Sequence, residues 1–244
     1  MTRKAVLILG LLVGVGAGSG CNQPQHTTKI ADLDPYVGRY PPAVRPLAPK
    51  QQPQPQQPKQ HAGSLKGATI VVDAGHGGHD PGAHGLSSNT EKQINLNIAM
   101  ALARLLQTRG AKVITTRDGD HFVDLDARAA TADSTHADLF VSVHSDSSKK
   151  SGISGTTVYI SRSPSAQSSH AGQCIAAALE HAGIECRGVH GAGYRVLVGH
   201  SRPAVLVECG FLTNRADAQR LNSSGYQSKV AEAIAEGIAQ HFAG

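Results

Sequence analysis

Four residues in this chain of 244 have the types and placement for hydrolytic chemistry. His76 lies in a Gly-rich turn with Gly75, Gly77 and Gly78. His144 follows the apolar run FVSV. Glu208 closes AVLV, and Glu91 opens a helix-forming segment. Two imidazoles and one carboxylate are the ligand set of a hydrolytic zinc site with an open fourth position, and a second carboxylate can then act as general base. The four are scattered along the chain, so no local signature such as H-E-x-x-H carries the assignment. Each alone also has a plain structural use. Glu91 would offset a helix dipole, an isolated His is commonly a surface or satisfied core group, and a strand-terminal Glu can pair with an Arg. The glycines could form a tight turn or a phosphate cradle, but they lack the Gly-Lys-Ser/Thr ending of a P-loop and the spacing of a dinucleotide fingerprint.

The elements that must position these residues are those of an α/β domain over 65–244. Short apolar, β-branched runs predict strands at 68–73, 112–116, 137–143, 156–161, 194–198 and 204–208. Between them, helical periodicity runs from Glu91 to Gly110, with Ile94, Ile98, Leu102 and Leu105 on one stripe. Thr90 with Gln93 fits a capping box, and Gly110 is a natural stop. Further helices are predicted at 125–134, with Asp124 as N-cap, at 166–182, ending at Gly183, and at 226–242. Six strands interleaved with helices imply a single three-layer domain, a mainly parallel six-stranded sheet flanked by helices. In open α/β sheets, ligands bind outside the carboxyl ends of the strands. If the strands leading to His76, His144 and Glu208 are parallel neighbours, the three side chains meet on one rim. Glu91 starts from the same rim.

The rest of the chain is of another kind. Residues 1–64 hold nine of the twelve prolines and seven Lys/Arg against two acids, which is the whole net charge of +5. Residues 65–244 carry sixteen groups of each sign, so the folded part has no bulk attraction for nucleic acid. Arg3 and Lys4 precede a thirteen-residue apolar run at 5–17, too short for a comfortable membrane span and suited to an export signal. Gly18-Ser19-Gly20-Cys21 follows. This resembles a bacterial lipoprotein signal in which residues 1–20 are removed and Cys21 is lipidated, although Gly18 stands where a Leu-like residue is usual. An ordinary cleaved signal with release is the alternative, and both readings export the protein. Residues 21–64 are then the anchor and a Pro/Gln-rich tether, extended to on the order of 100 Å. Three further cysteines remain. Cys174 and Cys186 could bridge, or all three, with Cys209, could be small buried hydrophobes.

DAGHGGHDPGAHG (73–85), EKQINLNIAMALARLL (91–106), TRDGDHFVDLDAR (116–128), ADLFVSVHSD (137–146) and PAVLVECGFLTN (203–214) resemble, in order, the motifs of zinc-dependent N-acetylmuramoyl-L-alanine amidases of the amidase-3 type. The resemblance implies one Zn2+ held by His76, Glu91 and His144, with Glu208 as the catalytic carboxylate. It implies cleavage of the amide between the lactyl group of N-acetylmuramic acid and L-alanine in peptidoglycan. Arg128 and Asp73 are expected to pair and brace the rim, and His79 and His84 to lie outside the metal site. Some relatives carry a long inhibitory insertion after the second His; only residues 147–156 stand here, which implies an open site. Asn22, where inner-membrane retention uses Asp, favours, in a two-membrane bacterium, an outer-membrane lipoprotein facing the periplasm and acting on peptidoglycan; the sequence does not give the oligomeric state, for which a monomer is favoured. A zinc peptidase acting within the stem peptide and a non-catalytic wall-binding lipoprotein are the alternatives. The chain has nine aromatic residues and no Trp, so recognition of the peptide and lactyl parts is expected to outweigh sugar stacking.

Overall fold

Side chains on a strand alternate between faces, and β1 (Thr69–Ala74) shows which core each face joins. Ile70, Val72 and Ala74 enter one apolar cluster; Val71 enters another. The computed structural model describes residues 64–86 and 89–244. The expected export signal, Cys21 and nearly all of the tether lie outside the described residues.

After β1 come α1 (Glu91–Thr108), β2 (Lys112–Thr115), α2 (Leu125–Ser134), β3 (Leu139–Asp146) and β4 (Thr156–Ser161). The chain continues through α3 (Ala166–His181), β5 (Cys186–Ala192), α4 (Arg195–Val198), β6 (Ala204–Phe211), α5 (Arg215–Leu221) and α6 (Ser224–Ala243). The sheet order is β2-β1-β3-β6-β4-β5. β2, β1, β3 and β6 run parallel; β4 is antiparallel to β6 and parallel to β5. α1, α3 and α6 cover one face with Ile94, Ile98, Leu102, Ile175 and Ile234 in the larger core. α2 and the single turn α4 cover the other through Ala132, Val196 and Leu197. This is the three-layer α/β architecture expected.

Local signals explain most boundaries. The Asp124 carboxylate accepts from Ala127 N–H at the start of α2, and Ser165 does the same for Ser168 N–H in α3. α1 ends in a Schellman motif: Gly110, at φ 94°, donates to Gln107 O, and Ala111 donates to Leu106 O.

Three expectations are corrected. The run 194–198 is not a strand. Tyr194 precedes the helical turn α4, and the fifth strand is Cys186–Ala192. Five residues, four of them apolar, are too few to show a periodicity that separates a strand from a buried helical turn. The true edge strand is interrupted by Gly188 and Gly191 and half-exposed, so it carries little apolar signal. On α1, Leu106 rather than Leu105 continues the buried stripe. Thr90 makes no side-chain cap. Of the two readings of the cysteines, no bridge forms: all three are free thiols, Cys209 buried and Cys174 and Cys186 half-buried.

Candidate functional site

β1, β3 and β6 are adjacent and parallel, so their carboxyl ends form one rim. Ala74 is level with Val143, leaving the residues that follow β1 beyond the last β1–β3 pair. His144 and Glu208 are direct partners across β3 and β6. Both strands continue past these residues, to Asp146 and Phe211, so His144 and Glu208 lie inside the strands rather than at their tips.

The turn after β1 bends sharply to aim His76 back over this rim. His76 has φ 62°, a left-handed backbone that a non-glycine residue holds only when its surroundings impose it. Two buried arginines impose it here. Arg128 Nη2 donates to His76 O (2.7 Å) and its Nη1 to Ala74 O (2.5 Å) and Asp73 Oδ1 (2.8 Å). Arg117 donates to Ala74 O and Gly75 O, both at 2.8 Å, and to Lys92 O at the start of α1. Asp73 is fully buried and is also bonded by the Thr116 and Ser142 hydroxyls, each at 2.6 Å. Two glycines make room. A Cβ at Gly75 would lie 2.2 Å from the His144 ring, and one at Gly82 would lie 2.5 Å from Glu91 Oε2.

His76 and His144 stand edge to face, with ring centroids 5.0 Å apart. Glu91 lies between them, its Oε1 3.1 Å from His76 Nε2 and 3.2 Å from His144 Nδ1. Ligand atoms of the three residues all lie within 4.8 Å of one another. His76 and Glu91 are held from behind. Asp80 meets His76 Nδ1 at 2.7 Å, leaving Nε2 directed at the site. The Glu91 carboxylate accepts from Ala83 N–H (2.6 Å), Ser145 N–H and the Asn95 amide. Burial raises the Glu91 pKa, but hydrogen bonds from His144 and His76 outweigh it and hold the carboxyl well below the usual range. Burial lowers that of His76, and the bonds and charges of Glu91 and Asp80 overcome it, leaving the imidazole raised.

Glu208 is in the opposite condition. It is buried, and its Oε2 has no hydrogen-bond partner. Burial first, then the charges of Asp146 and Glu91, push its carboxyl well above the usual carboxylate range. Two carboxylates on one rim are therefore driven apart, one held ionised and one favouring its proton. Burial also pushes Asp146 up, and Tyr194 up to about 12 beside Tyr159. Such a site can hold a divalent cation on the first three residues and move a proton on the fourth.

The structure thus brings together all four residues singled out from the sequence. His84 is exposed, and the exposed His79 stacks on Phe122 at 4.2 Å. Sequence reasoning missed Arg117, Asp80, Asn95, Ser145, Tyr159 and Tyr194. Asp80 stood inside the quoted Gly-rich motif; Arg117 stood beside Asp118 with nothing to mark it as buried.

Three comparisons bear on this arrangement. The uncharacterised YqiI of Bacillus subtilis is 37% identical over 185 residues, covering 75% of this chain and 89% of YqiI. The N-acetylmuramoyl-L-alanine amidase LytC of the same organism is 35% identical over 178 residues, covering 72% of this chain and 36% of LytC. The chain therefore spans most of YqiI and about a third of LytC. The structure of the N-acetylmuramoyl-L-alanine amidase AmiC2 of Nostoc punctiforme superposes with a TM-score of 0.67 at 37% identity, covering 72% of this chain and 98% of that one. Residues 70–240 match the N-acetylmuramoyl-L-alanine amidase family, Amidase_3, and the chain belongs to that family.

Proposed function

We propose that this chain is a zinc-dependent peptidoglycan amidase that cleaves the bond between the lactyl group of N-acetylmuramic acid and L-alanine of the stem peptide. The observation that carries the reading is the convergence of His76, Glu91 and His144 next to a partnerless buried carboxyl, Glu208, directly opposite His144. Two imidazoles and a carboxylate within 4.8 Å suit zinc in donor type and number. Those three residues would hold the ion. Bound there, zinc would supply Lewis acidity, polarising a carbonyl and lowering the pKa of water to about 7.

The remaining steps belong to the chain. Asp80 keeps the His76 ring in one orientation, as a carboxylate behind a ligating imidazole does. Glu208 takes the proton of the attacking water and returns it to the departing alanine amine. In the metal-free chain burial raises the Glu208 carboxyl; the positive charge of an ion on the three neighbouring ligands would offset that and favour the ionised form that accepts the proton. Asp73, Arg128 and Arg117 keep the turn from relaxing.

Outside the catalytic step, we read the protein as exported, anchored through lipidated Cys21 to the outer membrane facing the periplasm, and monomeric. Ser147–Gly155 after β3 contains bends and turns and no helix, which supports an enzyme active on sacculi without a partner. Mass spectrometry of digested muropeptides tests the reaction. New L-alanine amines are the expected product, whereas cleavage inside the stem peptide would refute it. His76→Ala and His144→Ala should each abolish stoichiometric zinc.

A further inference from the structure

Among the described residues, two buried side-chain atoms have no hydrogen-bond partner: Thr157 Oγ1 and Glu208 Oε2. They belong to residues that face each other directly across the antiparallel pair β4–β6. Thr157 is 2% exposed and Glu208 8% exposed. Direct partners in an antiparallel pair project from the same face with Cβ atoms about 4.5–5.5 Å apart. One rotation of the threonine χ1, or one bridging water, spans that gap.

A buried hydroxyl with no partner is destabilising, and such groups in native folds ask for a reason. Threonine's structural work at this position is done by its backbone and methyl group. Valine would supply both without stranding an oxygen. On the same face of the sheet, Leu206 is apolar and Tyr159 is engaged with Tyr194, its ring centroid 5.3 Å away. The residue directly opposite it, Glu208, also carries a buried oxygen without a partner.

Resting on the assignment of Glu208 as the proton carrier, we infer that Thr157 is a positioning residue for the reaction. Its hydroxyl donates to Glu208 Oε2, directly or through one water, and holds the carboxyl in the rotamer that meets the attacking water beside His144. Thr157 touches neither substrate nor metal ligands and acts through Glu208.

The test uses the full chain as Thr157→Val, Thr157→Ser and Glu208→Gln, with kinetics on a soluble muropeptide, zinc content and thermal melts. Thr157→Val should keep zinc and melt no lower than the parent. Its kcat should fall about tenfold, the size expected for losing one hydrogen bond to a charged group, with KM unchanged. Thr157→Ser should restore most of the turnover. A purely structural threonine predicts the reverse split: unchanged kcat in Thr157→Val, which would overturn the inference. Loss of kcat accompanied by a lower melting temperature, or no rescue by serine, would overturn it as well. Full turnover in Glu208→Gln would instead refute the catalytic assignment beneath it, and the two failures are separable.

Discussion

Removing Arg128 while keeping its volume should unfold the site before it unfolds the sheet. Arg128→Met deletes bonds to Asp73, Ala74 O, His76 O and Val123 O, all from a guanidinium 3% exposed. Asp73, with a side chain 0% exposed, is left with two hydroxyl donors and no direct cation. Breaking a buried ion pair from one side costs about 3–5 kcal/mol, because the surviving charge stays desolvated. For a domain of this size about 1 kcal/mol shifts Tm by about 2–4 °C, so the melt should fall by about 6–20 °C. The second consequence is local. His76 at φ 62° loses the donor that holds its carbonyl, and zinc affinity should drop about 10–100-fold, as for loss of an outer-shell support. Differential scanning calorimetry with zinc chelated, and competition titration with a chromophoric chelator, read the two effects separately. The double variant Asp73→Asn/Arg128→Met should recover part of the stability, since neither charge is then stranded. A single variant melting within about 3 °C of the parent and binding zinc as tightly would refute the bracing role.

Other outcomes follow from the same geometry. Glu208→Gln should retain zinc and lose turnover by about 10²–10⁴-fold. The same substitution bears on pH. The Glu208 carboxyl is raised by burial, so the folded chain binds its proton more tightly than the unfolded chain does. In zinc-free protein, stability should therefore decline as pH rises from the ordinary glutamate range, near about 4.3, through the raised folded value. Glutamine should remove that slope, and identical melts-against-pH for the two proteins would contradict it. Gly75→Ala places a methyl 2.2 Å from the His144 ring, and metal analysis should show zinc lost while far-ultraviolet circular dichroism keeps the α/β signature. Cys21→Ala should abolish incorporation of labelled fatty acid and move the protein out of the membrane fraction; continued sedimentation with membranes would refute the anchor.

What was legible in the chain alone was whatever short-range pattern controls. The apolar runs before His76, His144 and Glu208 could be read as strands because β-branched residues crowd a helix and suit a pleat. The helix caps at Asp124 and Gly110 follow from backbone groups that need partners within a few residues. Such patterns identify all four candidate residues, because each sits at a defined point on its own element. They also misplace an element where a short apolar stretch has no period to read, as with residues 194–198.

Tertiary structure decided the rest. That β1, β3 and β6 are neighbours is a pairing of segments remote in sequence, and only the sheet order makes a rim of them. The one-to-one register of His144 with Glu208, and of Glu208 with Thr157, depends on the same long-range pairing. Arg117 and Arg128 look alike to composition and act alike in space, because both reach the carbonyls of a turn more than forty residues away. Burial is likewise a property of the whole fold. It raises both glutamates, but hydrogen bonds from His144 and His76 hold Glu91 low while Glu208, without such donors, stays raised, a difference that no residue type carries by itself.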